Sequence, residues 1–250
     1  MIESLSVIMP TFHSKDLVLI AIRSFEHFKP PFLRINYIIV ENSDDISYRQ
    51  DVMSLSENVT WINNQTHLRG SAANAVGLEI GLKQITTEWV FLAHCDVCVS
   101  SSLFFEELFR KAEEGYSVIG TEFDPSLHRI KALHISGIFL QTSIAKRIDY
   151  YPRILKDGRH MDVGDGVTLY CRENGIKHFC FKNTFNYPEV VEKIDKKFKV
   201  QVDRCINNNS NVIFMHLGRG IPKTEGTYKT EGKTFLQGWI KLCNGVVLCE

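Results

Sequence analysis

Short apolar, β-branched runs recur through the first 120 residues, each cut off by a polar cluster, and several lead into a segment of helical periodicity. Ser4 to Met9 is closed by Pro10. Leu17, Ile20, Ala21, Ser24, Phe25 and Phe28 then repeat at helical spacing until Pro30-Pro31 stops them. Ile35 to Val40 ends in Glu41-Asn42-Ser43-Asp44-Asp45, Val59 to Ile62 in Asn63-Asn64, and Trp89 to Ala93 in His94-Cys95-Asp96. Helices are predicted from Ser71 to Ile85 and from Leu103 to Glu114, the latter behind the capping run Ser100-Ser101-Ser102, and a strand from Ser117 to Gly120. Alternation of this kind predicts an α/β fold, in which helices cover both faces of a mainly parallel central sheet.

The rhythm changes after residue 120. A strand from Ala132 to Gln141 and a short helix near Ser143 to Ile148 are followed by a basic loop, Lys146 to His160. Met161-Asp162-Val163-Gly164-Asp165 then leads into a helix reaching about Asn174, and strands are expected near Lys177 to Phe181 and Asn211 to Met215. Gly218 to Gly232, rich in Gly, Lys, Thr and Glu, reads as a mobile loop. Its two copies of Lys-Thr-Glu-Gly, at 223 and 229, are too short for a repeat architecture. With 250 residues, 44% of them hydrophobic, a single domain is expected: residues 1–220, with a flexible loop and C-terminal segment, 221–250, packing on it.

Charge excludes some functions. Lys plus Arg equals Asp plus Glu at 29 each, so no global field attracts nucleic acid, and binding must come from a local site. Neither GxGxxG after a strand nor GxxxxGK[ST] occurs, which argues against a dinucleotide dehydrogenase or a P-loop kinase. The N-terminus carries no basic leader, and no run of about 18 uncharged apolar residues is present for a spanning helix. A cytoplasmic location follows as the expectation, with peripheral membrane association left open. The scattered cysteines, seven in all, read as reduced thiols. Cys95-x-x-Cys98 invites a zinc or redox reading, but the second close Cys or His pair of such a zinc site is missing.

In an open α/β sheet, ligands bind beyond the carboxyl ends of the strands. That rule selects Pro10-Thr11-Phe12, Glu41-Asn42-Ser43, Asn63-Asn64 and His94-Cys95-Asp96. Four segments in order then resemble a known family: Ser6-Val-Ile-Met-Pro-Thr11, Ile38-Ile-Val-Glu-Asn-Ser43, Gly70-Ser-Ala-Ala-Asn74 with Gly77, and Trp89-Val-Phe-Leu-Ala-His-Cys-Asp-Val97. They are similar to the landmarks of family 2-type glycosyltransferases with the GT-A fold, over roughly residues 4–220.

That resemblance implies a nucleotide diphosphate sugar as donor and a saccharide or glycoconjugate hydroxyl as acceptor. Pro10, Thr11 and Glu41 would face base and ribose, Glu41 standing where the family more often has Asp. Arg69 and Asn74 would lie near the nucleotide, although an exposed loop arginine and a helix-start asparagine explain the same pattern. The family's Asp-x-Asp holds a divalent cation; here the triplet is His94-Cys95-Asp96, similar to a His-x-Asp branch of these enzymes. One carboxylate plus substrate phosphate oxygens suits Mg²⁺, and an imidazole suits Mn²⁺ better.

The resemblance also implies a carboxylate base before a late helix, where Asp162 and Asp165 stand, with Asp165 preferred for its helix-start position. His216 is a candidate metal ligand and Arg219 a candidate for the diphosphate. Inverting, metal-assisted glycosyl transfer in polysaccharide or glycoconjugate biosynthesis is the resulting expectation. A sugar-nucleotide-binding protein without catalysis is the alternative.

Overall fold

The computed structural model describes residues 1–122, 130, 132–184, 186–194, 202–218 and 232–247, the side chains of 122 and 232–235 excepted. The first half follows the alternation in the sequence. β1 (Ser4–Thr11) leads to α1 (Lys15–Phe28), β2 (Arg34–Glu41), the short α2 (Arg49–Met53), β3 (Val59–Asn63), α3 (Gly70–Leu82) and β4 (Trp89–Ala93). β5 (Val97–Val99), α4 (Leu103–Glu113) and β6 (Val118–Glu122) follow. The second half comprises β7 (Leu133–Gln141), α5 (Thr142–Ala145), a hairpin of β8 (Arg153–Ile154) and β9 (His160–Met161), α6 (Asp165–Glu173) and β10 (His178–Asn183). A 3₁₀ turn (Pro188–Lys193), β11 (Asp203–Ile206), β12 (Val212–His216) and α7 (Gly232–Val247) complete it.

One ten-stranded sheet runs in the order β3-β2-β1-β4-β7-β6-β10-β11-β12-β5. β3, β2, β1 and β4 are mutually parallel, as are β6 and β10, while β7, β11, β12 and β5 join antiparallel. The parallel part is thus largely the α-linked first half, where helical crossovers return each strand to the same end.

Every other residue of a strand faces one of two cores. Leu5, Val7 and Met9, with Trp89, Phe91 and Ala93, share a cluster with α1, α4 and α7. Ile8, Val90 and Leu92 face the cluster built with α3, α5 and α6. Burial on both sides explains why these strands read as continuous apolar runs. Phe25 of α1 sits 5.5 Å from Phe91 and 6.0 Å from Phe104, and Phe104 stacks on Phe214 at 5.2 Å, tying α1, α4 and β12 together. Such aromatic pairs stabilise by about 0.5–1.5 kcal/mol each beyond area burial.

α7 was not legible in the sequence, although its Trp239, Cys243 and Val246 are buried in the first core. The loop expected from Gly218 to Gly232 lies, apart from its two end glycines, outside the described residues. Among the described residues, no helix is long and apolar enough to cross a membrane. Six of the cysteines fall among the described residues, and all are free thiols.

α3 approaches the sheet closely because two of its residues lack side chains. A Cβ on Gly77 would lie 2.8 Å from Pro10 Cβ, and one on Gly81 2.5 Å from Ile8 Cγ2. Gly81→Ala should therefore destabilise the protein by about 1–3 kcal/mol, the usual cost of overpacking. The denaturation midpoint measures it, and an unchanged midpoint would refute the close approach.

Candidate active site

Strand order reverses between β1 and β4. The chain leaves β1 toward β2 and β3 on one side, then returns to place β4 on the other. Pairing of β1 with β4 covers only Leu5 to Ile8 against Trp89 to Leu92, whereas β1 stays paired with β2 as far as Thr11 and Glu41. Pro10, which has no N–H to give, falls beyond the last β4 partner. The separation sets Pro10-Thr11-Phe12 and His94-Cys95-Asp96 on either side of the switch point, the place where such sheets bind ligands.

One wall is a braced loop. Glu41 is fully buried; its carboxylate accepts from Thr11 Oγ1 at 2.8 Å, from Ser43 N–H at 2.8 Å, from His13 N–H at 3.4 Å, and from Tyr48 Oη. A buried carboxylate is tolerated because donors surround it. Glu41 and Thr11 are thus brought together, but bonded to each other rather than turned outward. Asn42 extends the lacing, donating Nδ2 to Ala73 O at 3.3 Å and accepting from Asn64 Nδ2 at 2.8 Å. Arg69 is exposed at the start of α3, its guanidinium 4.6 Å over the Phe12 ring. Asn74, one turn along α3, reaches His94: its Nδ2 is 3.1 Å from His94 Nε2.

The opposite wall is a cluster around Asp96. β5 begins right after Asp96 and pairs antiparallel with β12, setting His216 opposite Val97, and Leu217 N–H donates to Asp96 O at 2.9 Å. His216 Nε2 comes within 3.4 Å of Asp96 Oδ1, and His94 Nδ1 within 3.7 Å of the same oxygen. Ligand atoms of His94, Asp96 and His216 all lie within 4.8 Å of one another. His216 Nε2 is buried and, among the described residues, faces Asp96 without forming a hydrogen bond of normal geometry. Two imidazoles and a carboxylate converging on one point, one nitrogen otherwise unsatisfied, are a donor set that fits a divalent cation.

The histidines are electrostatically unlike. Desolvation pushes the His94 pKa down to about 4, against the pull of Asp96. Burial would lower His216 too, but Asp96 and Asp203 on either side outweigh it and carry its pKa up to about 9. Asp162 also lies near enough to His94 to favour its charged form.

The two acids before α6 are placed differently. Asp165 is fully buried, its Oδ2 accepting from Asp162 N–H at 2.8 Å. Asp162 is half-buried and its Oδ1 accepts from Val163 N–H at 2.7 Å. Arg219 lies outside the described residues. Cys95 is buried and its thiol is pushed up to about 12, away from thiolate chemistry.

One residue escaped the sequence. His134 of β7 enters the cluster with its ring 5.6 Å from His94 and 5.0 Å from His216, Nδ1 sitting 2.7 Å from Ser136 Oγ. The only signal for it was a histidine inside an apolar strand antiparallel to β4, a relation that appears only once β7 is paired.

A family model described as glycosyl transferase family 2 matches residues 6–172, more than half of the chain. The chain belongs to that family. Among solved structures it is similar to a mannosyltransferase from Pyrobaculum calidifontis in complex with GDP-Man and Mn²⁺, at 14% identity and a TM-score of 0.54, covering 70% of this chain and 54% of that one. It is also similar to glucosyl-3-phosphoglycerate synthase from Mycobacterium tuberculosis in complex with phosphoglyceric acid, at 11% identity and a TM-score of 0.50, covering 72% and 70%. At these identities the likeness shows the fold, the GT-A type, and the chain spans about half the length of the mannosyltransferase. No curated protein sequence matches it.

The opposed histidine shifts have a consequence for stability. An unfolded His titrates near 6.5, so between about 4 and 6.5 the unfolded state binds a proton at His94 that the folded state refuses, and stability rises with pH. Between about 6.5 and 9 the folded state keeps a proton on His216 that the unfolded state has lost, and stability falls. With a chelator present, denaturation free energies across that range should lose the alkaline limb in His216→Asn and the acid limb in His94→Asn. Unchanged limbs in both variants would contradict the assignment.

Proposed function

We propose that the chain transfers a glycosyl group from a nucleotide diphosphate sugar to an acceptor hydroxyl, inverting the anomeric carbon in a single displacement. The observation that carries this reading is the convergence of His94, Asp96 and His216 at the switch point, with Asp162 beside them. The family supports the reaction type, and the Mn²⁺ and GDP-Man of the mannosyltransferase support the donor class and a divalent cation.

Pro10, Thr11 and the loop braced by Glu41 form the wall for base and ribose. Arg69 offers guanidinium donors to a phosphate, and Arg219 is assigned the same task. His94, Asp96 and His216 hold Mg²⁺ or Mn²⁺. When bound, the cation supplies positive charge for the departing diphosphate.

Asp162 is the better base of the two acids. Asp165 is enclosed and its Oδ2 holds the Asp162 backbone, so it shapes the loop. Asp162 takes the proton of the acceptor hydroxyl as that oxygen bonds to the anomeric carbon and the bond to the diphosphate breaks. The acceptor is a saccharide or glycoconjugate in a cytoplasmic biosynthetic step, and residues 1–220 form the catalytic unit, with α7 packed on it.

Asp162→Asn should lower transfer by about 10²- to 10⁴-fold while leaving nucleotide-induced thermal stabilisation in place. Asp165→Asn should lower the melting temperature instead. Equal transfer rates in Asp162→Asn and the parent protein would remove Asp162 as the base.

A thermal-shift screen of UDP, GDP, dTDP and CMP sugars with and without Mn²⁺ should find a donor whose effect depends on the cation. Asp96→Ala should lose that dependence. Stabilisation without donor hydrolysis or transfer, across acceptors, would instead indicate a binding protein.

A further inference from the structure

Asp203 holds none of the binding or catalytic roles assigned above, yet it stands directly across the β11–β12 ladder from His216. Its Oδ2 lies 3.6 Å from His216 Nδ1, on the opposite edge of the ring from Asp96, whose Oδ1 is 3.4 Å from Nε2. Antiparallel register fixes this relation: Asp203 pairs with His216 as Arg204 pairs with Met215 and Cys205 with Phe214. The ring is further hemmed by His94 at 5.5 Å and His134 at 5.0 Å, so its plane is set by packing and its edges by two carboxylates.

A carboxylate can only accept. Asp203 therefore draws a proton to Nδ1, while Asp96 draws one to Nε2; once a cation engages Asp96, only Asp203 still holds the proton, on Nδ1, and Nε2 presents a bare lone pair. That nitrogen is buried, forms no hydrogen bond of normal geometry among the described residues, and faces Asp96. Metal-binding histidines commonly have the second nitrogen held in this way by a carboxylate, and loss of such a partner typically costs about 10- to 100-fold in metal affinity.

We propose that Asp203 is a positioning residue that fixes the tautomer of His216, presenting Nε2 to a cation shared with Asp96 and His94. The proposal rests on the cation reading above and extends it to a residue beyond the segment matched by the family model. Supplying charge is the competing role for Asp203, and the two separate chemically. Asp203→Asn keeps an oxygen that can accept the Nδ1 proton while removing the charge; Asp203→Leu removes both.

Two measurements on the full chain test it. Mn²⁺ affinity, read by the electron paramagnetic resonance signal of free Mn²⁺, should fall about 10- to 100-fold in Asp203→Leu and stay within a few-fold of the parent in Asp203→Asn. Equal losses in both variants, or no loss in either, would overturn positioning by hydrogen bonding. Nitrogen NMR of the metal-free protein, at a pH raised until His216 is seen to be neutral, should show Asp203→Leu moving proton population from Nδ1 to Nε2. A tautomer population that Asp203→Leu leaves unchanged would overturn the proposal. If the tautomer is as stated but Mn²⁺ does not bind the parent protein, the cation reading itself falls and with it this purpose for Asp203; Asp96→Ala supplies the matching control.

Discussion

Pairing of β5 with β12 is the contact on which the rest of the site depends. β4 delivers His94-Cys95-Asp96 to the open end of the sheet, but a strand end alone offers a single carboxylate and an imidazole. The three residues of β5 turn the chain onto the far edge of the sheet, where β12 returns His216 to the same carboxylate. Val99 N–H also donates to Ser24 Oγ at 2.9 Å, so α1 anchors the short strand from the other side. The aromatic stack of Phe104 on Phe214 holds β12 against α4, so core packing and site geometry are one construction.

Much of the first half was legible because its physics is local. Proline stops, polar strand ends and helical spacing mark β1, α1, β2, β3, α3 and β4, and the observed ends differ from the expected ones by only a few residues. The strand ends at the switch point could be named from the sequence, since the strand-end rule needs only the order of elements. β5, β11 and the β8–β9 hairpin were missed because runs of two to four residues carry too little periodicity to read. α7 was missed for another reason: its apolar face has meaning only against α1 and the first core.

Within the site, residue types were legible and orientations were not. Glu41 is where the landmarks put it, but its carboxylate turns inward to Thr11, Tyr48 and two backbone N–H groups. Asp165 has the helix-start position that favoured it, and that same position buries it under the turn holding Asp162. Asn74 meets His94, a contact that spacing along α3 could not foretell. His134 belongs with the other histidines only through the β4–β7 pairing, which joins segments with no local relation.

Asp96 and His216 stand 120 residues apart, and the second lies beyond the stretch 6–172 that the family model matches. A chain that forms β1 to β4 and reaches Asp96 therefore has two of the three candidate ligands, but not His216. Closing that loop is a costly non-local step, and its contacts form only when β12 has found β5. On the proposed cation reading, affinity for a divalent ion would report on completion of the sheet as well as on chemistry: a nascent or truncated chain would keep the motif in its sequence yet lack His216, and full loading would wait until β12 is seated.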